Sequence, residues 1–191
     1  MPILGSHNSM TYLQPDNYLY KLFSFCWKCQ SSNIEYQLNH NIRCFDLRIV
    51  LNDNKWSFAH GKALLKGDTL DNILNICNKY SVENNIKIYI RLILEESKEN
   101  KAQEDQFIKL VYNLYNKYTP NLIFFEFTRK YDWKQLVDLG YTIQEPVQYV
   151  GSMQSWYGKI WPWLYWKLNH KKNQENIASL QDTDIVLTDF V

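Results

Sequence analysis

The sequence predicts an α/β fold, with parallel strands and helical crossovers wound into a TIM-type (β/α) barrel. Three observations carry that prediction. Strand-like runs alternate with helix-like runs along the chain. The run at residues 86–95 (IKIYIRLILE) is apolar almost throughout, as a strand buried on both faces must be. Polar residues gather at the ends of the strand-like runs, where a closed parallel barrel assembles its working rim.

Taken in order, residues 2–5 (PILG) form a short first strand, and His7 follows it at once. Residues 31–40 form a helix capped by Ser31 or Ser32, with Ile34 and Leu38 one turn apart. Residues 42–51 (IRCFDLRIVL) form a second strand. Its alternation puts Phe45, Leu47 and Ile49 on one face, and Cys44, Asp46 and Arg48 on the other. Residues 55–59 (KWSFA) form a short strand that ends at His60-Gly61. A helix over residues 69–80 starts at a Thr69 or Asp68 cap and carries Leu70, Ile73, Leu74 and Cys77 at helical spacing.

The strand at 86–95 contains Arg91 and ends at Glu95-Glu96. Residues 102–117 form an amphipathic helix with Phe107, Leu110, Val111 and Leu114 inward. Residues 122–127 (LIFFEF) are a strand, 132–139 a short helix stopped by Gly140, and 141–150 an extended run. The last strand, 184–191 (DIVLTDFV), carries Asp189 near its end. No repeat or linker interrupts the pattern, so residues 1–191 read as one unit.

Composition narrows the function classes. A formal net charge of +1 supplies no field for a nucleic acid, and none is expected as a partner. The N-terminus lacks a basic region followed by a long apolar run, and no window is apolar for long enough to span a bilayer. The expectation is a cytoplasmic protein, peripheral at membranes if it meets them. Cys26-Trp27-Lys28-Cys29 has the spacing of a zinc or redox pair. Cys44 and Cys77 form no second pair, so free thiols in a reducing compartment are the expectation, with metal or disulfide as the alternative.

Read alone, His7, Asn8 and Ser9 describe a polar turn as well as they describe a working site. Four motifs together say more. Ile3-Leu4-Gly5-Ser6-His7-Asn8-Ser9-Met10-Thr11-Tyr12 resembles the opening motif of the phosphatidylinositol-specific phospholipase C X domain. Ile42-Arg43-Cys44-Phe45-Asp46-Leu47-Arg48 is similar to that family's second strand, Phe58-Ala59-His60-Gly61 to its second histidine motif, and residues 184–191 to its last barrel strand. The likeness is closest to stand-alone X-domain proteins and to the bacterial metal-independent enzymes. Between residues 97 and 180 the chain is too short for the usual complement of strands and helices, which predicts a shortened or irregular barrel.

The resemblance implies a phosphodiesterase that acts by attack of the substrate's neighbouring hydroxyl, giving a cyclic phosphate. Such chemistry needs a base, an acid, and a cation on the phosphoryl oxygens. By resemblance His7 is the base, with Asp189 on its other ring nitrogen. His60 is the acid and Arg48 the phosphate clamp, whose planar fork suits phosphate. Asp46 orients Arg48 or His60. Asn8, Glu95 and Arg91 are candidate substrate contacts.

Two departures bear on this. Asn8 stands where the bacterial and stand-alone members carry Asp. The calcium-dependent members have Asn there as a metal ligand, with acidic residues at the positions of Asp46 and Glu95, but Arg48 replaces another of their carboxylates. Guanidinium and a divalent cation would compete for one place. No cofactor is therefore expected, and calcium on Asn8, Asp46 and Glu95 is the alternative. The implied substrate is an inositol phospholipid or related diester. A glycerophosphodiester or lysophospholipid is a further candidate, and a degenerate domain that binds phosphoinositide or protein without turnover is the competing reading. The segment containing Trp156, Trp161, Trp163 and Trp166, with Lys159 and Lys167, suits a membrane interface; a buried aromatic core or dimer contact is its alternative.

Overall fold

In a computed structural model of the chain, which describes residues 2–95, 101–125, 147–151, 155–180 and 184–191, the first strand lies beside the last. β1 (Ile3–Ser6) pairs in parallel with β9 (Ile185–Thr188) on one edge and with β3 (Cys44–Asn52) on the other. β3 pairs in parallel with β6 (Ile88–Leu94), and β6 with β7 (Leu122–Phe125). On the far side β8 (Val147–Tyr149) pairs in parallel with β9. The parallel set thus runs β7-β6-β3-β1-β9-β8, with chain order wrapping from last strand to first. That wrap is the barrel topology the sequence predicts. Among the described residues β7 and β8 are the ends of the parallel set, as in a shortened barrel.

An antiparallel branch departs from this plan. β4 (Lys55–His60) returns along β3, and β5 (Ala63–Lys66) returns along β4 to meet β2 (Gln14–Pro15). His60 is therefore not at the end of a parallel barrel strand, as the sequence reading has it. It is the last residue of a hairpin arm that runs back from beyond the rim, with Phe58 opposite Ile49. Asp46 and Arg48 likewise sit in the body of β3, because that strand extends past the rim to form the hairpin.

The helices are α1 (Tyr18–Leu22), α2 (Ile34–Asn39), α3 (Leu70–Asn84), α4 (Lys101–Tyr118), α5 (Trp156–Ile160) and α6 (Pro162–Ala178), with a 3₁₀ turn at Ser24–Cys26. α2 is capped by Asn33, whose side chain accepts from Tyr36 N at 2.9 Å, and not by Ser31 or Ser32. Thr69 caps α3 as expected, but the helix runs on to Asn84 before Asn85, at φ +52°, ends it. α1, β2, β5 and the 3₁₀ turn escape the sequence reading because each is too short to show a period. Glu96, the helix expected at 132–139 and the extended residues 141–146 lie outside the described residues.

The two faces of β3 go where alternation sends them. Phe45, Leu47 and Ile49 are fully buried against a core that includes Ile34 and Leu38 of α2, Ile73 and Leu74 of α3, and Phe107 and Val111 of α4. Burying each such side chain contributes about 1.5–3 kcal/mol. Cys44 turns the other way, into a smaller cluster with Phe125, Ile185 and Leu187. β1 threads between its neighbours only because residue 5 is glycine. A Cβ there would lie 2.6 Å from Leu187 Cδ2 and 2.8 Å from Cys44 Cβ.

Candidate active site

The backbone that carries β1 out of the sheet delivers His7. Its N–H still donates to Thr188 O at 2.8 Å, so the β1–β9 ladder holds to the residue where the side chains meet. His7 Nδ1 lies 2.8 Å from Asp189 Oδ1, and both residues are buried. The residues that follow them on either strand, Asn8 and Phe190, have φ of +47° and +54°. Asn tolerates that region; Phe does not favour it, so strain is stored beside Asp189. The Phe190 N–H is held by Cys29 O at 2.7 Å.

Gln30 fastens the same junction. It is fully buried, and its Nε2 donates to His7 O at 3.1 Å and to Thr188 O at 2.8 Å. Its Oε1 accepts from Val191 N at 3.1 Å. The loop that carries it is fixed in turn by Thr11 Oγ1, which accepts from Cys29 N and Gln30 N at 3.0 and 2.9 Å. Sequence reading missed Gln30, since a lone amide in a loop carries no signal of its fold-wide partners.

Asp46 and Arg48 project from the barrel-facing side of β3. Asp46 Oδ2 accepts from Arg48 Nε and Nη2 at 3.2 and 3.1 Å and from Asn8 N at 3.0 Å, while its Oδ1 accepts from Arg91 Nη1 at 3.0 Å. Burial alone would push the Asp46 carboxyl up; the two guanidiniums overcome this and hold it well below the usual carboxylate range. Burial likewise works against the Arg48 charge, and Asp46 and Glu95 more than restore it. Asp46 thus orients Arg48 and not His60, and Arg91 contacts the Asp46 carboxylate from within the barrel. Glu95 Oε2 is 3.7 Å from Arg48 Nη1, and Glu95 Oε1 accepts from Gly61 N at 2.7 Å, tying the β4 turn to the end of β6.

The remaining contacts set the direction of protons. Arg48 Nη2 lies 3.2 Å from His7 Nε2, and Asn8 Nδ2 lies 3.0 Å from the same atom. Both neighbours are donors, so His7 Nε2 presents its lone pair and Nδ1 carries the hydrogen toward Asp189. Asn8 Nδ2 also stands 3.2 Å from His60 Nε2, so the amide bridges the two imidazoles. His60 has its edge against Trp27, ring centroids 6.0 Å apart. Burial, then the positive charge of Arg48, drives its pKa down to about 3.

A cleft of about 400 Å³ is lined by His7, Asn8, Arg48 and His60, together with Cys26, Trp27, Lys159 and Pro162. The structure thus brings together His7, Asn8, Asp46, Arg48, His60, Glu95, Arg91 and Asp189 in one cluster of hydrogen bonds and ion pairs. Trp156, Trp161 and Trp163 lie on the outer surface beside the cleft, 67%, 45% and 51% exposed, while Trp166 is half-buried. One metal-type grouping occurs among the described residues: the ligand atoms of His7, Cys29 and Asp189 lie within 4.8 Å of one another. Burial, then Asp189, pushes the Cys29 thiol well above its ordinary value, which opposes the thiolate that a metal would need.

A closed-order (β/α) barrel with one polar mouth is the class this architecture defines. The model of the phosphatidylinositol-specific phospholipase C X domain matches residues 3–125, and the chain belongs to that family. Its fold is similar to the phosphatidylinositol-specific phospholipase C of Listeria monocytogenes, with a TM-score of 0.66 at 16% identity over 100% of this chain and 88% of that one. A mutant of the Staphylococcus aureus enzyme gives 0.66 at 16% identity over 98% and 85%. Another S. aureus structure, concerned with modulation of that enzyme's membrane binding, gives 0.51 at 23% identity over 66% of this chain; there the chain spans about half of the neighbour, 47%. No curated protein matches the chain. Among the described residues no helix is long and apolar enough to cross a membrane.

Proposed function

We propose that the chain is a phosphodiesterase that cleaves an inositol phospholipid, or a related diester, by attack of the substrate's neighbouring hydroxyl on phosphorus. The observation that carries this reading is the His7 ring, held by Asp189 on Nδ1 and offering Nε2 beside the Arg48 guanidinium. His7 takes the proton of the attacking hydroxyl. Arg48, kept charged by Asp46, draws the phosphoryl oxygens toward the same place and stabilises the charge that builds there. The P–O bond to the leaving alcohol breaks as the ring P–O bond forms, and His60 supplies the proton to the departing oxygen.

With its pKa held near 3 by burial and Arg48, His60 is neutral at neutral pH, so its acid role depends on the substrate. A bound phosphodiester brings negative charge that offsets the Arg48 field on the imidazole, and protonation of His60 is then coupled to binding. The same neutrality favours a second reading, in which the domain binds a phosphoinositide without turnover.

We further propose that the reaction uses no bound calcium. Asn8, Asp46 and Glu95 are the candidate ligands, but the Asp46 oxygens are engaged by Arg48, Arg91 and Asn8 N, and Glu95 by Gly61 N and Arg48. A cation there would face two guanidiniums. We also place the cleft against a membrane surface. Exposed Trp156, Trp161 and Trp163 flank the lining residues Gly158, Lys159 and Pro162 in the chain.

The test is ³¹P NMR of the products from phosphatidylinositol vesicles, with and without a calcium chelator. A cyclic phosphate from the wild-type protein, insensitive to chelator and absent in His7→Ala and His60→Ala, is the expected result. Cleavage retained in both variants refutes the mechanism. Vesicle binding with no product from any diester supports the second reading.

A further inference from the structure

A second cavity of about 800 Å³ opens beside the candidate active site, between the 3₁₀ turn and α6. Four aromatic side chains wall it: Phe25, Trp163, Trp166 and Phe190. Trp166 is fixed from behind, with its ring against Gly151, where a Cβ would stand 2.8 Å from Cε3. Phe190 is the strained residue next to Asp189. Lys28, Lys167 and His170 supply the cationic and titratable groups of the lining, which among the described residues includes no carboxylate. The hydroxyls of Ser24 and Ser31 complete the polar part.

An aromatic cage by itself would select a quaternary ammonium. Here the lysines reverse the sign. Lys167 Nζ already stands 5.2 Å from the Trp163 ring centroid, where such a cation would sit, and Lys28 adds a second positive charge. The complementary ligand is an anion with an apolar body. The exposed part of the lining decides its source: Phe25 and Trp163 are half exposed. A cationic pocket lined by half-exposed aromatic side chains fits a head group presented at a lipid surface.

We propose that this cavity binds the phosphate head of an anionic phospholipid that is not the one being cleaved. The aromatic walls take its glycerol and first methylenes. The idea rests on reading the domain as one that works at membranes, and its test separates the two. Dihexanoyl phosphatidylmethanol is a suitable probe: it is anionic, soluble as a monomer, and has no neighbouring hydroxyl, so the proposed reaction cannot consume it.

Titration followed by tryptophan indole NMR signals is expected to show saturable binding with shifts at Trp163 and Trp166. The Lys28→Gln/Lys167→Gln variant should bind roughly tenfold or more weakly. Lys171→Gln/Lys172→Gln, on the same helix but outside the lining, should bind as the wild type does, and dihexanoyl phosphatidylcholine should not compete. Absence of saturable binding, equal binding of the choline lipid, or equal loss in the control variant would overturn the proposal. If the soluble lipid binds as described but the protein ignores vesicles of phosphatidylinositol and phosphatidylcholine, the site stands and the membrane reading fails.

Discussion

Arg48 Nη2 lies 3.2 Å from His7 Nε2, and a guanidinium has only hydrogens to offer. The contact therefore fixes which nitrogen of His7 is free to take a proton. It also sets the cation beside that nitrogen, so in the proposed reaction one geometry would serve deprotonation and phosphate binding together.

Arg48→Lys should keep a positive charge and lose this arrangement. A lysine ammonium cannot meet Asp46 through two nitrogens and reach His7 as well. The expected loss is about 10²–10³ in kcat with a smaller change in KM, read from initial rates on soluble phosphatidylinositol.

Acid should destabilise the protein earlier than carboxylate titration alone predicts. His60 has a folded pKa of about 3, against an ordinary value of 6.5. Above pH 6.5 the ring is neutral in both states; between 6.5 and about 3 only the unfolded chain binds the proton, so stability falls as pH falls through that window. Asp46, also depressed in the fold, adds to the loss only below the usual carboxylate range. Urea unfolding at pH 7, 6, 5 and 4 should show the decline, and His60→Gln should flatten it. An unchanged slope in that variant would remove His60 as its cause.

Asn8→Asp tests the bridge between the imidazoles. A carboxylate in place of the amide, 3.2 Å from His60 Nε2, should raise the His60 pKa by at least about 1 unit, measured by ¹⁵N NMR. The alkaline limb of the rate profile, set by loss of the His60 proton, should move to higher pH than in the wild type.

Gly5→Ala should cost about 1–3 kcal/mol in a denaturant titration, since the new methyl meets Leu187 and Cys44 on both sides and neither strand can give way.

Gln30→Met removes the amide that joins His7 O, Thr188 O and Val191 N while keeping an apolar filling. Taking this donor from His7 O and this acceptor from Val191 N, while Thr188 O keeps the His7 N–H, should destabilise by about 1–3 kcal/mol. If Gln30 also positions His7 against Asp189, kcat should fall at unchanged KM and the His7 Nδ1–H signal should broaden or shift. A stability loss with neither effect would make the residue purely structural.

Much of this was readable from the chain alone. The alternation of residues 42–51 already separated Phe45, Leu47 and Ile49 from Cys44, Asp46 and Arg48, because side-chain direction in a strand is local geometry. His7, Asp46, Arg48, His60 and Asp189 could be picked out because they fall in short contiguous motifs that resemble those of the family. Tertiary structure alone decided the rest. It made β4 antiparallel and so brought His60 back to the rim by a hairpin. It turned Arg91 onto Asp46, and gave Gln30 its three partners at both ends of the chain. These depend on contacts between residues far apart in sequence, whose energies belong to pairs and not to any residue that can be read singly.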